Sequence, residues 1–365
     1  MKERRKRIVM SGYYGFRNAG DDAVGKAIIE ALQKELPDAE ITVLSNDVAL
    51  TKEQYGVQAV SRWQPLKVLR AMLPAQAVIS GGGSLIQDVT SRHGCFYYLG
   101  VIFMAECLRR PVVIYSQGLG PLKGSLNRRL TRLAFNHARA VFVRDNASAE
   151  LCRAIGVRRE VRVVPDPVLG MDVTGIDRQA GRQALEKLGW RGERPLALLA
   201  LREWTGPDRV VDFAALCDML DENGYDIGLL VMHHDRDVAI ASAVAGRTTA
   251  NTFVINEDWE TDMFLSVISH AELVVAMRLH ALIMGAALGS RLMAVSYDPK
   301  VEAFMRMLQN GDCLSLEQAD ADSLRACADH ALSAPQSEQH KRVALLKRWC
   351  RLPAAACAEV VNGRK

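Results

Sequence analysis

Most of the signals that would place a chain in a functional class at once are missing from this one. No apolar run approaches the ~20 residues needed to cross a bilayer. The basic start leads into IVMSGYYGF, which is too short and too rich in glycine for a signal-peptide core. A cytoplasmic protein is expected. The net charge is only +4 with no concentrated basic stripe, which argues against a nucleic-acid partner. The eight cysteines (Cys95, Cys107, Cys152, Cys217, Cys313, Cys327, Cys350 and Cys357) include no C-x-x-C pair. Zinc and disulfide frameworks are therefore not expected, and reduced, mostly buried thiols are. The first glycine turn is not G-x-G-x-x-G, and no acidic residue ends the second strand, so a nicotinamide site is not expected.

What is present is ordinary globular material: 365 residues, 49% hydrophobic and 24% charged. At ~100–200 residues per domain this length suggests two domains. RIVMSG (7–12) reads as a first strand and GYYGFRNAG (12–20) as a turn. Ala23, Ala27, Ile28, Ala31 and Leu32 then recur at helical spacing. Asp21 or Asp22 is the expected N-cap of that helix. EITVLS, AVIS, VVIYSQG, AVFVRD and VRVVPDP follow as strands separated by helices. Such alternation predicts a parallel sheet covered on both faces.

Polar sequence over 171–194 reads as a connection containing one helix, after which the strand–helix rhythm restarts at PLALLALR (195–202). The expected fold class is thus α/β, with two Rossmann-like domains, 1–170 and 195–335, facing each other across a cleft. Residues 336–365 read as terminal helices that pack back on the first domain. The run KERRKR (2–7) reads as a solvated flank, with contact to an anionic membrane surface as the alternative.

Chemistry concentrates at a few strand ends. Asn18, Asp21 and Asp22 in the first turn offer groups suited to sugar hydroxyls; a tight turn with an N-cap is the plain alternative. Gly81, Gly82, Gly83 and Ser84 follow a strand and have the make-up of an anion nest near a helix N-terminus. Arg144 ends the strand in VFVRD, where it forms an ion pair or grips a carboxylate or phosphate through two bonds. HHDRD (233–237) invites a metal reading through Asp235 and Asp237, but adjacent ligands lack a third partner, and no metal is assigned. The segment from Val274 to Lys300 places Arg278, His280 and Lys300 beyond the ends of two successive strands, the edge where open α/β sheets bind ligands. Histidine is the side chain whose proton moves most easily near neutral pH.

Six motifs, taken together and in order, resemble the polysaccharide pyruvyl transferases: GFRNAGDDA (15–23), SGGGSLIQD (80–88), SQGLGP (116–121), VRD (143–145), RLHA (278–281) and YDPK (297–300). Within that family they are most similar to the branch that pyruvylates secondary cell wall polymers for S-layer anchoring. Arg17 departs from the small or amide residue expected at its position. The resemblance implies a fold like that of GT-B glycosyltransferases, phosphoenolpyruvate as a co-substrate, and no cofactor. It also implies a lipid-linked acceptor containing N-acetylmannosamine, whose 4- and 6-hydroxyls become bridged by pyruvate.

On this reading His280 transfers the proton, and Arg144 and Lys300 hold the donor's anionic groups. Arg278 and Gly81–Ser84 support the donor, while Asn18, Asp21, Asp22 and Asp88 face the acceptor. Arg144 would have to reach the donor from the other domain. A lipid-linked acceptor would also give KERRKR and the Leu66–Met72 segment a reason to touch the membrane. The competing readings are a nucleotide-sugar glycosyltransferase on the same fold and a two-lobed sugar- or anion-binding protein.

Overall fold

The computed structural model describes residues 5–88, 92–204 and 208–363; part of the basic flank, residues 2–4, lies outside them. The chain divides into two compact units, Met1–Met171 with Leu346–Lys365, and Asp172–Leu345. Each is an α/β unit built on one parallel sheet. No helix among the described residues is long and apolar enough to cross a membrane.

The first unit runs β1 (Arg7–Ser11), α1 (Ala19–Glu35), β2 (Glu40–Ser45), α2 (Val48–Tyr55), β3 (Gln58–Ser61), α3 (Pro65–Met72) and β4 (Ala77–Gly81). It continues through α4 (Arg92–Cys107), β5 (Val112–Gln117), α5 (Ser125–His137), β6 (Ala140–Val143), α6 (Asn146–Ala154) and β7 (Val161–Val163). The strand order is β3-β2-β1-β4-β5-β6-β7. β4 and β5 are buried along their whole length, as strands covered on both faces must be. β3 and α2 leave little trace in the sequence. β3 is a four-residue edge strand that begins on exposed Gln58, and α2 buries only Thr51, so it carries no apolar stripe.

The second unit runs α7 (Arg178–Lys187), β8 (Leu196–Ala200), α8 (Val210–Glu222), β9 (Asp226–Leu230), α9 (His234–Ala245), β10 (Thr252–Ile255), α10 (Thr261–Ile268) and β11 (Ala271–Ala276). α11 (Leu279–Leu288), β12 (Arg291–Ser296), α12 (Pro299–Leu308), β13 (Cys313–Ser315), α13 (Ala321–Ser333), α14 (Ser337–Trp349) and α15 (Leu352–Val361) complete the chain. The order of this sheet is β10-β9-β8-β11-β12-β13.

The stretch 171–194, read as a connection, is largely part of the second unit. The Gly181 amide donates to Ser266 Oγ at 2.7 Å, and Ser266 Oγ donates to the Asp177 carbonyl at 2.5 Å. A Cβ at Gly181 would lie 2.4 Å from that hydroxyl, so α7 and α10 meet only because the position is glycine. The terminal helices are shared out in sequence. Gln336, Gln339 and Arg342 donate to the carbonyls of Gly289, Ser290 and Met307 in the second unit. Cys350 sits on Gly170 in the first unit, where α15 packs on α1 and β5. Burial raises the Cys350 and Cys357 thiols to about 12, so both stay protonated at neutral pH.

Candidate functional site

In the first sheet β1 and β4 lie side by side, with Ser11 opposite Ser80. From them the strand order runs outwards in opposite directions, and such a switch point opens a crevice at the carboxyl ends. Both glycine-rich turns leave from this point. Gly82 and Gly83 hold φ of +49° and +69°, a region that glycine enters without the Cβ penalty. A Cβ on Gly82 would lie 1.9 Å from Val24 Cγ1 on α1, and the Gly82 amide donates to the Tyr115 carbonyl at 2.8 Å. The glycine run thus packs closely on α1.

The first turn also differs from expectation. Asn18, not Asp21 or Asp22, is the N-cap of α1, its Oδ1 accepting from the amides of Gly20 and Asp21 at 3.1 and 3.3 Å. Asp22 is buried, and the Tyr55 hydroxyl donates to its carbonyl at 3.1 Å and to its Oδ1 at 3.4 Å. Asp88 is clamped to the start of α5. It accepts from the amides of Lys123 and Gly124 and from Asn127 Nδ2, at 2.7–3.0 Å. The side chains of Asn18, Asp22 and Asp88 thus have structural partners, and half-buried Asp21 lies over Gly83.

Arg144 is 7% exposed. Its Nη1 lies 3.5 Å from Asp166 Oδ2 and its Nε 3.9 Å from Asp145 Oδ2. Its Nη2 donates to Ser84 Oγ at 3.0 Å, and Ser84 is exposed. Two carboxylates therefore fix the inner side of the guanidinium while its other end reaches a surface hydroxyl. Asp166 and Gly118 were not singled out from the sequence. A Cβ at Gly118 would lie 2.8 Å from Arg144 Nη2 and 2.9 Å from Ser84 Oγ, so that glycine makes the room. The S-Q-G run was a visible hint of Gly118, whereas Asp166, 22 residues past Arg144, had no local signal.

In the second sheet the switch point falls between β8 and β11. Arg278 caps α11 by position, and its side chain binds Asp237 through two bonds, Nε to Oδ2 at 2.9 Å and Nη2 to Oδ1. Asp237, whose side chain is 1% exposed, also accepts from the His233 amide at 3.0 Å. The HHDRD run is thus accounted for as a clamp between the β9–α9 and β11–α11 turns, and Arg278 is committed to that clamp. Burial first, and then the Arg278 charge, push the His233 imidazole below its usual pKa, so it is neutral at pH 7.

His280 is the second residue of α11 and half-buried. Lys300 is the second residue of α12, its Nζ 3.2 Å from Asp298 Oδ2, and Asp298 in turn caps α12. Arg202, just past β8, holds its guanidinium 4.2 Å from the Tyr297 ring centroid and donates Nη1 to Tyr297 Oη at 2.6 Å. Lys300 Nζ is 5.7 Å from the same ring. The sequence reading used Arg202 only as the end of a strand.

The fold is GT-B-like, shared with sugar epimerases and sugar transferases. Anabaena Alr3699/HepE, solved with UDP and glucose, superposes with a TM-score of 0.64 at 13% identity, covering 98% of this chain and 100% of that one. A putative UDP-N-acetylglucosamine 2-epimerase from Listeria monocytogenes gives 0.62 at 13% identity, over 93% and 90%. The ADP-heptose LPS heptosyltransferase II of E. coli gives 0.52 at 13%, over 90% and 98%. No curated protein matches the sequence. The family profile of the polysaccharide pyruvyl transferases matches residues 18–299. The chain belongs to that family, and so is a transferase that acts on polysaccharide.

Proposed function

We propose that the protein transfers the enolpyruvyl group of phosphoenolpyruvate to two hydroxyls of one sugar, giving a cyclic ketal and phosphate. The family match over 18–299 carries this reading. The acceptor proposed is a lipid-linked saccharide containing N-acetylmannosamine, of the kind used in secondary cell wall polymers that anchor S-layers.

In the reaction the methylene carbon gains a proton while one hydroxyl attacks C2. The C2–O bond to phosphate then breaks, and the second hydroxyl closes the ring. One hydroxyl proton ends on the new methyl group and the other leaves with phosphate. His280 is assigned to moving the first of these protons. Lys300, in the first turn of α12, and Arg144, just past β6, are assigned to anionic groups of the donor, with Ser84, past β4, beside Arg144. Charge-assisted bonds of this kind contribute ~1.5–3 kcal/mol each. Arg278 supports the donor by holding the start of α11 in place, and Asn18, Asp21, Asp22 and Asp88 are assigned to the acceptor. No cofactor enters the scheme.

The expected result with labelled donors is that label from phosphoenolpyruvate reaches the saccharide, with release of one phosphate. Transfer from a labelled UDP-sugar instead would replace this reading with that of a glycosyltransferase, which the UDP-bound structure of the same fold makes the natural competitor.

A cytoplasmic location and peripheral contact with the membrane belong to the same proposal. Exposed Leu66 and Leu73 flank exposed Lys67 and Arg70 around α3, and Leu126 and Leu133 flank Arg129 and Arg132 on α5. Leucine beside basic residues suits an anionic lipid surface. The protein is expected to sediment with vesicles containing phosphatidylglycerol and not with neutral ones; equal recovery with both would remove the membrane from the scheme.

A further inference from the structure

We propose that Arg202 is a second cation of the donor site, forming with Lys300 and Tyr297 a seat for the phosphate of the phosphomonoester. The inference rests on phosphoenolpyruvate being the donor, but the seat itself is defined by its charge.

Three neighbouring strands of the second sheet end here. β8 leads to Arg202, β11 to Arg278 and His280, and β12 to Tyr297 and Lys300. The main chain joins the first two, since the amides of Met277 and Arg278 both donate to the Ala200 carbonyl, at 3.0 and 3.3 Å. The switch point between β8 and β11 thus delivers cationic side chains from both of its flanks.

These cations are not equivalent. The charge of Arg278 is matched by buried Asp237. Lys300 has Asp298 at 3.2 Å and is partly compensated. Arg202 donates to a phenol, Tyr297 Oη at 2.6 Å, and to a carbonyl, that of Glu203 at 3.0 Å. Among the described residues no carboxylate forms an ion pair with Arg202. It therefore brings a whole positive charge to the sheet edge, and it is only half-buried.

Tyr297 explains why an arginine occupies this place. A guanidinium is planar and weakly hydrated, and it stacks on an aromatic face while keeping N–H groups for a ligand. The stack fixes the orientation of the fork, and the same ring lies beside Lys300. A phosphate dianion carries two negative charges, more than the partly neutralised lysine can match, and a second, uncompensated cation supplies the difference. Arginine suits that task through parallel bonds to two oxygens.

The test is equilibrium binding by calorimetry, with the full-length protein and no acceptor. Phosphoenolpyruvate, inorganic phosphate and pyruvate are each titrated into wild type, Arg202→Ala and Arg202→Lys. Arg202→Ala is expected to weaken phosphoenolpyruvate and inorganic phosphate by about tenfold or more, to change pyruvate much less, and to leave the melting temperature in place. Arg202→Lys is expected to recover part of the phosphate affinity, and it serves as the readout if the alanine variant fails to fold. Unchanged phosphoenolpyruvate affinity in a folded Arg202 variant overturns the seat but not the proposed reaction. Loss of pyruvate with phosphate retained overturns the assignment to phosphate. Arg202-dependent binding of inorganic phosphate by a wild type that ignores phosphoenolpyruvate keeps the seat and removes the donor.

Discussion

His280→Ala is expected to lower turnover by ~10²–10⁴, the usual contribution of a positioned general acid–base, and to leave the melting temperature close to that of wild type. Alanine is the better helix former, and the second residue of α11 belongs to a helix whose apolar remainder, Ala281 to Ala287, is buried without any help from the imidazole. Bound phosphoenolpyruvate should survive the change, so KM for the donor should move far less than kcat. His280→Gln separates proton transfer from simple hydrogen bonding. Glutamine keeps polar atoms in place but carries no transferable proton near neutral pH, and it should be as inactive as alanine. Wild-type rates in His280→Ala would remove this residue from the mechanism.

Asp237→Ala should have the largest effect on stability. The carboxylate is almost fully buried and serves Arg278 through two bonds and the His233 amide through a third. Removing one partner of a buried pair typically costs ~3–5 kcal/mol, because the other charge is left uncompensated. The Arg278 side chain is 16% exposed, so water recovers some of this and about 3 kcal/mol is the better expectation. At ~2–4 °C per kcal/mol for a unit of this size, the melting temperature should fall by roughly 6–12 °C. Activity should fall with it, since the start of α11, and His280 with it, is held by the same clamp. The metal reading of HHDRD makes a different forecast: EDTA would reproduce the activity loss in wild type. We expect EDTA to leave both rate and melting temperature unchanged, and restoration of a lost rate by Mg²⁺ would reinstate Asp235 and Asp237 as ligands.

The two changes probe different kinds of information in the chain. His280 stood out locally, as a histidine between Arg278 and an apolar helix. Asp237 was legible only as part of a suspicious cluster, because its partner lies 41 residues away and nothing in the spacing announces that the β9–α9 and β11–α11 turns meet. The same limit explains Arg144, whose neighbour Asp145 is adjacent in sequence while its deeper partner Asp166 is not. Arg202 and Tyr297 are separated by 95 positions. At the first turn the failure was of another sort. Asn18 and Asp21 are both good caps, and the choice between them depended on where the backbone enters the helix, which in the structure is three residues before Asp21.

By itself, the sequence determined the alternation of strands and helices, two parallel sheets, and the strand ends at which glycines and charged residues gather. Buried strands need continuous apolar runs, and the turns between them need glycine, so both leave local marks. Tertiary structure alone decided the strand order, the short edge strands β3 and β13, and which charged groups are spent on one another. Those depend on contacts between distant segments, where a carboxylate's nearest cation is set by the packing of the sheet and not by position along the chain. That distinction separates Arg278, whose charge Asp237 already holds, from Arg202, whose charge no carboxylate among the described residues meets.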